Sequence, residues 1–117
     1  MTSDPPPHLK IEQRPGDGAA AVVFVVSGEL DPLSGPTLAA RVEEATAAVA
    51  SPGTVVLDVA EVGFVDSSGL RTLVEVHTGL QRRGGQLVLR RPSRPILRLL
   101  EITSLDVVFA VEPAPPG

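Results

Sequence analysis

Cysteine, tryptophan and tyrosine are absent from this chain, and only three phenylalanines occur in it. Without cysteine there are no disulfide scaffolds, no thiol catalysis and no thiolate metal sites. So few aromatic rings make a poor base-stacking platform, and direct nucleic-acid binding is not expected. No stretch approaches the roughly 20 apolar residues of a membrane span, so membrane insertion is not expected either. The N-terminus MTSDPPPHLK lacks the apolar core of a secretion signal. A cytoplasmic protein is the expectation. Histidine is confined to His8 and His77, which read as isolated, and Asp31, Asp58 and Asp66 have no metal-ligand spacing. Neither G-x-x-x-x-G-K nor G-x-G-x-x-G is present. No metal site and no cofactor are expected.

What is present fits one domain: 117 residues, of which 43% are apolar, can bury a core. The net charge of −4 conceals an asymmetry. Residues 1–70 hold three basic and ten acidic side chains, whereas residues 71–98 hold seven arginines against Glu75 alone. Such a basic segment reads as solvated helix and strand ends in a chain so poor in aromatics. The proline-rich ends, residues 1–7 and 112–117, read as poorly ordered tails flanking a domain over residues 8–111.

Along that domain, strands and helices alternate. His8 to Arg14 is a weak strand candidate, followed by the turn Pro15-Gly16-Asp17-Gly18. Ala19 to Val26 and Thr54 to Val59 are continuous β-branched runs, as expected of strands buried on both faces. Between them a helix is expected over residues 35–50, with Ser34 as N-cap and Leu38, Val42, Ala45 and Val49 as its apolar stripe. A second helix from Ser68 to about Arg83 places Leu70, Leu73, Val74, His77 and Leu80 on one side. Gln86 to Arg90 reads as a strand. Ser93 is expected to cap a third helix carrying Ile96, Leu97, Leu99 and Leu100, and Val107 to Val111 closes the chain as a strand. The alternation predicts an α/β fold, a small mostly parallel β-sheet with helices packed on it. In such sheets sites lie beyond the C-terminal strand ends. Both Gly28–Asp31 and Asp66–Gly69 leave such ends, and the two turns are expected to be neighbours.

The most informative stretch is VVLDVAEVGFVDSSGLRTL, Val55 to Leu73. An apolar run ends in Asp66-Ser67-Ser68-Gly69 and a helical pattern starts at once. Two hydroxyls and a carboxylate sit where free backbone N–H groups and the helix dipole favour an anion. The serines could cap the helix, attack a substrate or receive a phosphate. Nucleophilic catalysis is disfavoured: Val65 stands where a G-x-S-x-G elbow needs glycine, and no histidine is placed as base. His77 lies ten residues beyond Ser67, roughly 15 Å along the same helix, and reads as a packed or half-exposed helix residue.

In order along the chain, Ser27-Gly28-Glu29-Leu30-Asp31, Val55-Val56-Leu57-Asp58, Phe64-Val65-Asp66-Ser67-Ser68-Gly69-Leu70, Gly84-Gly85-Gln86-Leu87-Val88-Leu89 and Ile96 to Asp106 resemble the STAS-domain family. The likeness is to its anti-sigma-factor antagonists and covers roughly residues 8–111. Ser104 departs from the glycine usual there. The resemblance implies a STAS fold and a non-enzymatic partner switch. Unphosphorylated, such a protein binds an ATPase-fold serine kinase that doubles as an anti-sigma factor, which frees a sigma factor; a metal-dependent serine phosphatase reverses the modification. The family pattern assigns the phosphoacceptor to Ser67, with Ser68 second. It implies a contact surface of Asp31, Asp66, Ser67, Ser68, Gly69, Leu70 and Arg71, with Gly69 admitting a partner's backbone. Two other readings stay open: a STAS subunit of a membrane-lipid transporter docking on its ATPase, and a small-ligand-sensing STAS module.

Overall fold

A computed structural model describes residues 8–112. The proline-rich segments 1–7 and 113–117 lie outside the described residues. The elements are β1 (Leu9–Pro15), β2 (Ala20–Leu30), α1 (Gly35–Thr46), β3 (Thr54–Val65), α2 (Ser67–Arg82), β4 (Gln86–Arg90), α3 (Arg94–Thr103), a 3₁₀ turn (Leu105–Val107) and β5 (Ala110–Glu112). They form one five-stranded sheet in the order β1-β2-β3-β4-β5. β1 runs antiparallel to β2, and the other pairs are parallel. The α/β fold with a mostly parallel sheet is as the alternation predicts. Among the described residues no helix is long and apolar enough to cross a membrane.

One sheet face carries the core. Phe24 and Val26 of β2, Val55, Leu57 and Val59 of β3, and Leu87 and Leu89 of β4 alternate toward it, as strand periodicity requires. Leu38 and Val42 of α1, Leu70, Leu73, Val76 and Leu80 of α2, and Ile96 and Leu100 of α3 complete the same cluster. The opposite face is only partly covered: Val23 and Val56 are buried, Val25 and Val88 half-buried, Ala21 exposed. The strands are therefore not buried on both faces throughout, which corrects the reading of their unbroken apolar runs.

Both central strands run beyond their apolar segments. Pairing continues through Ser27↔Glu61, Gly28↔Val62, Glu29↔Phe64 and Leu30↔Val65, with register shifts that absorb the irregular residues. Polar side chains are admitted because they point off the core face, while Leu30 and Val62 are fully buried. Only Asp31, not Gly28, leaves the sheet. The C-terminal strand lies at Ala110–Glu112, and Val107 belongs to the preceding turn. Glu112 thus belongs to the domain rather than to a tail: its carboxylate accepts from Arg90 Nε at 3.0 Å.

Helix α1 stops at Thr46, four residues short of expectation. Arg83, at the end of α2, donates to the carbonyls of Thr46 and Val49 and to Thr46 Oγ1, satisfying carbonyls that the helix end leaves free. Val49 is 49% exposed and takes no part in the stripe; Thr46 is buried instead. The seven arginines are accordingly not all solvated. Arg90 grips Asp17 through two nitrogens at 2.8 and 3.1 Å, and Arg91 grips the buried Asp58 at 2.6 and 3.2 Å. The two acidic partners of Arg90 hold its guanidinium well above its ordinary pKa, and Arg90 in turn lowers that of Asp17.

Candidate functional site

The strand ends of β2 and β3 finish side by side, so the Asp31 and Asp66 turns are neighbours as expected. Asp66 N–H donates to the Leu30 carbonyl at 3.3 Å. Asp66 has extended backbone and its Oδ1 accepts from Gly69 N–H at 2.9 Å, which makes it the N-cap of α2. A carboxylate, not a serine, therefore occupies the cap. Ser67 is the first helical residue and exposed; Ser68 is half-buried, and its carbonyl accepts from Thr72 Oγ1. Ser67 takes no part in the cap, and the residue is exposed.

Gly69 is buried, and a Cβ there would stand 2.3 Å from the Leu30 carbonyl oxygen. The close backbone that requires glycine is this chain's own strand β2, which corrects the idea that it makes room for a partner. Leu70 is only 5% exposed and belongs to the core, so it cannot extend an outer contact surface. Arg71 is exposed on the first turn of α2.

Asp31 organises the neighbouring turn. Its Oδ1 accepts from Leu33 N–H at 2.9 Å and Ser34 N–H at 3.0 Å, and lies 3.2 Å from both Ser34 Oγ and His8 Nε2. Ser34 makes no side-chain cap bond to α1; its hydroxyl donates instead to the Glu29 carbonyl at 2.8 Å. Asp31 caps that turn in place of the expected serine. The Ser34 hydrogen bond first, then His8 and Leu33, hold the Asp31 carboxyl below its ordinary range. Ser93 likewise makes no side-chain cap bond at α3; its Oγ is buried without a partner among the described residues.

His8 reads as isolated in the sequence and is not so in the fold. The pairing of Leu9 with Gly28 brings His8 beside Glu29, whose N–H donates to the His8 carbonyl at 2.7 Å. His8, Glu29 and Asp31 each offer a ligand atom within 4.8 Å of the others, so the histidines are not both isolated. The His8 and Glu29 side chains are exposed, and Asp31 Oδ1 is already shared among four polar groups, which makes the trio a surface polar knot. No hydrogen bond joins His8 to Ser67 among the described residues. His77 is half-buried with its ring 5.4 Å from that of Phe109, the packed role expected of it. Two apolar side chains near the turns are exposed: Leu33 by 73% and Phe64 by 47%. Phe64 opens the signature stretch, but its exposure is not read from it; Leu33, two residues after Asp31, is not singled out by the sequence reading at all.

A family model for the STAS domain matches residues 8–115. An anti-sigma-B factor antagonist of Listeria monocytogenes is 32% identical over 107 residues, covering 90% of each chain. A crystal structure of an anti-sigma factor antagonist from Mycobacterium paratuberculosis superposes with a TM-score of 0.77 at 27% identity, over 96% of this chain and 92% of that one. The Bacillus cell fate determinant SpoIIAA, solved in its phosphorylated form, shares the fold with a TM-score of 0.64 at 21% identity, over 87% of this chain and 90% of that one.

Proposed function

This chain belongs to the STAS domain family, and we propose that it acts as an anti-sigma-factor antagonist switched by phosphorylation of Ser67. In its unmodified form it binds an anti-sigma factor that is also an ATPase-fold serine kinase, and so releases a sigma factor. The kinase transfers the γ-phosphoryl group of ATP to Ser67 Oγ: the new P–O bond forms as the bond from the γ-phosphorus to the β–γ bridging oxygen breaks, ADP leaves, and the serine proton passes to a base of the kinase or to water. A serine phosphatase returns the hydroxyl by hydrolysis and frees inorganic phosphate. The protein itself catalyses neither step.

The observation that carries this reading is the exposed Ser67 on a turn fixed from behind. Asp66 holds the cap and Gly69 lies against Leu30, so the serine is exposed without taking part in the cap. The antagonist names of the relatives and the phosphorylated SpoIIAA give the same direction. Phosphorylation adds about −1.5 to −2 charges. In the free chain the first turn of α2 accommodates an anion. Against a partner shaped for a neutral hydroxyl, the same charge beside Asp66 meets repulsion and uncompensated desolvation. A loss of ~3–4 kcal/mol weakens binding several-hundredfold at ~1.4 kcal/mol per decade. Asp31, Ser68 and Arg71 frame the contact surface, and the exposed Leu33 and Phe64 supply its apolar part.

The test is incubation with the cognate kinase and ATP, followed by phosphopeptide mapping and calorimetric titration. Phosphate maps to Ser67; Ser67→Ala binds like the unmodified protein, and Ser67→Asp binds much more weakly, though less so than the phosphorylated form. Phosphate on Ser68, or equal affinity for the neutral and acidic variants, overturns the assignment.

A further inference from the structure

We propose that Arg71 is the intramolecular counter-ion of the phosphoryl group on Ser67, and so sets both its orientation and its charge. This rests on the Ser67 switch proposed above. Ser67 is the first residue of α2 and Arg71 stands four residues on; both are exposed. Residues four apart share a helix face with Cβ atoms ≈ 5–6 Å apart, and the acid-before-base order is the favourable one. Arg71 is the sole charged residue between Ser67 and Val74. It makes no ion pair among the described residues, whereas Arg83, Arg90 and Arg91 are all committed within the fold. A neutral serine offers it no charge. A phosphoserine offers three acceptor oxygens that fit the two-pronged guanidinium fork.

The other charged groups at this end are mixed. Asp66 adjoins Ser67 and opposes the phosphate, as do Asp31 and Glu29 on the neighbouring turn, where His8 also sits. On the far side, Arg94 and Arg98 of α3 line a groove that reaches Val65. Arg71 is the cation built on the same helix turn as the modified residue, at a spacing the helix itself fixes. Pairing with it draws the phosphate along the α2 surface and favours the dianion. The second ionisation of phosphoserine ordinarily lies near 6, so a lowered value brings the switch closer to two full charges at neutral pH.

The experiment uses the full chain with phosphoserine inserted at position 67 during translation, so that no kinase is needed. Phosphorus NMR then follows the second ionisation against pH in the wild type and in Arg71→Ala, Arg71→Lys and Arg82→Ala. Removing Arg71 raises the midpoint by about half a unit, the modest end for an opposite charge at a solvent-exposed position. Arg71→Lys raises it less, because lysine keeps the charge and loses the fork. Arg82→Ala, at the far end of α2, leaves it unchanged. The Arg71 effect shrinks as salt is raised from 10 mM to 1 M, as a surface pair demands. Identical midpoints in the wild type and Arg71→Ala overturn the pairing while leaving the switch intact. A kinase that never modifies Ser67 overturns the switch, and the titration of the inserted phosphoserine still decides the pairing.

Discussion

Replacing Gly69 with alanine puts one methyl group where the fold has no room for it. The Cβ would stand 2.3 Å from the Leu30 carbonyl oxygen and 2.9 Å from its carbonyl carbon. An ordinary carbon–oxygen contact needs about 3.3 Å, so α2 and the end of β2 must separate by about 1 Å. Neither side yields easily. Leu30 is fully buried and paired with Val65, and its carbonyl accepts from Asp66 N–H. Over-packing of this kind costs about 1–3 kcal/mol, and backbone on both sides places it at the upper end. Weakening the hydrogen bond from Asp66 adds about 1 kcal/mol. Alanine recovers about 1 kcal/mol of helix propensity. The net expectation is a destabilisation of roughly 2–3 kcal/mol from these terms. Gly79 supplies the internal control, because it lies in the same helix with nothing within 4 Å of an added Cβ. There the propensity gain acts alone, and Gly79→Ala stabilises by up to about 1 kcal/mol. Urea unfolding measures both, with the slope m as a check that the unfolded states match. A Gly69→Ala protein as stable as the wild type, or two alanine variants shifted in the same direction, refutes the claim that the Leu30 carbonyl fixes the start of α2.

Three other outcomes follow from particular residues. Ser104 ends α3 in the left-handed region, φ 61° and ψ 23°, where a side chain costs about 1–2 kcal/mol. Part of that gain is offset by the greater freedom of glycine when unfolded, so Ser104→Gly raises stability by about 0.5–1 kcal/mol in thermal or urea melts. Arg91→Ala strips the counter-ion from buried Asp58 and destabilises by about 1–3 kcal/mol, and Asp58→Asn in the same background relieves part of the loss. Asp31 titrates below its usual 3.8 in the fold, so its contribution is fully present above that value and is lost as pH falls through the lower folded one. Asp31→Asn therefore gives a shallower acid limb below about pH 4 in a stability-against-pH series, with little change in slope near neutrality.

The order and type of the elements were legible because each carries its own period: β-branched runs for β2 and β3, a 3.6-residue stripe for α2, glycine pairs at the stops. Strand ends were not. Ser27 to Leu30 read as residues leaving the sheet, and Glu61 to Val65 lie past the strand expected over Thr54 to Val59; pairing with each other keeps both segments in the sheet. Capping followed the same rule. Serines at positions 34 and 93 carry the right side chain for a cap. Yet Asp31 and Asp66, whose carboxylates accept more strongly, hold the two turns at the site. The site was legible as a motif and not as a surface. Leu70 and Gly69 belong to its pattern but face inward, whereas His8 arrives from strand pairing 23 residues away in sequence from Asp31.

That division between inward and outward residues bears on how a phosphate at Ser67 could act. The inward set, Asp66 through its cap, Gly69 against Leu30, and Leu70 in the core, leaves the turn little freedom to refold. A conformational readout would have to break those contacts, at a cost of several kcal/mol, for a modification that the first turn of α2 itself favours by about 0.3–1 kcal/mol. The added charge therefore leaves the turn where it is and changes only what the outward set presents: Ser67, Arg71, and the apolar Leu33 and Phe64 nearby. Water solvates that charge in the free chain. A partner that covers Leu33 and Phe64 removes the water and must supply a cation or accept the desolvation penalty. On the proposed reading the switch resides in this asymmetry, so its strength depends on how completely the partner seals the turn and on how much of the charge Arg71 has already balanced.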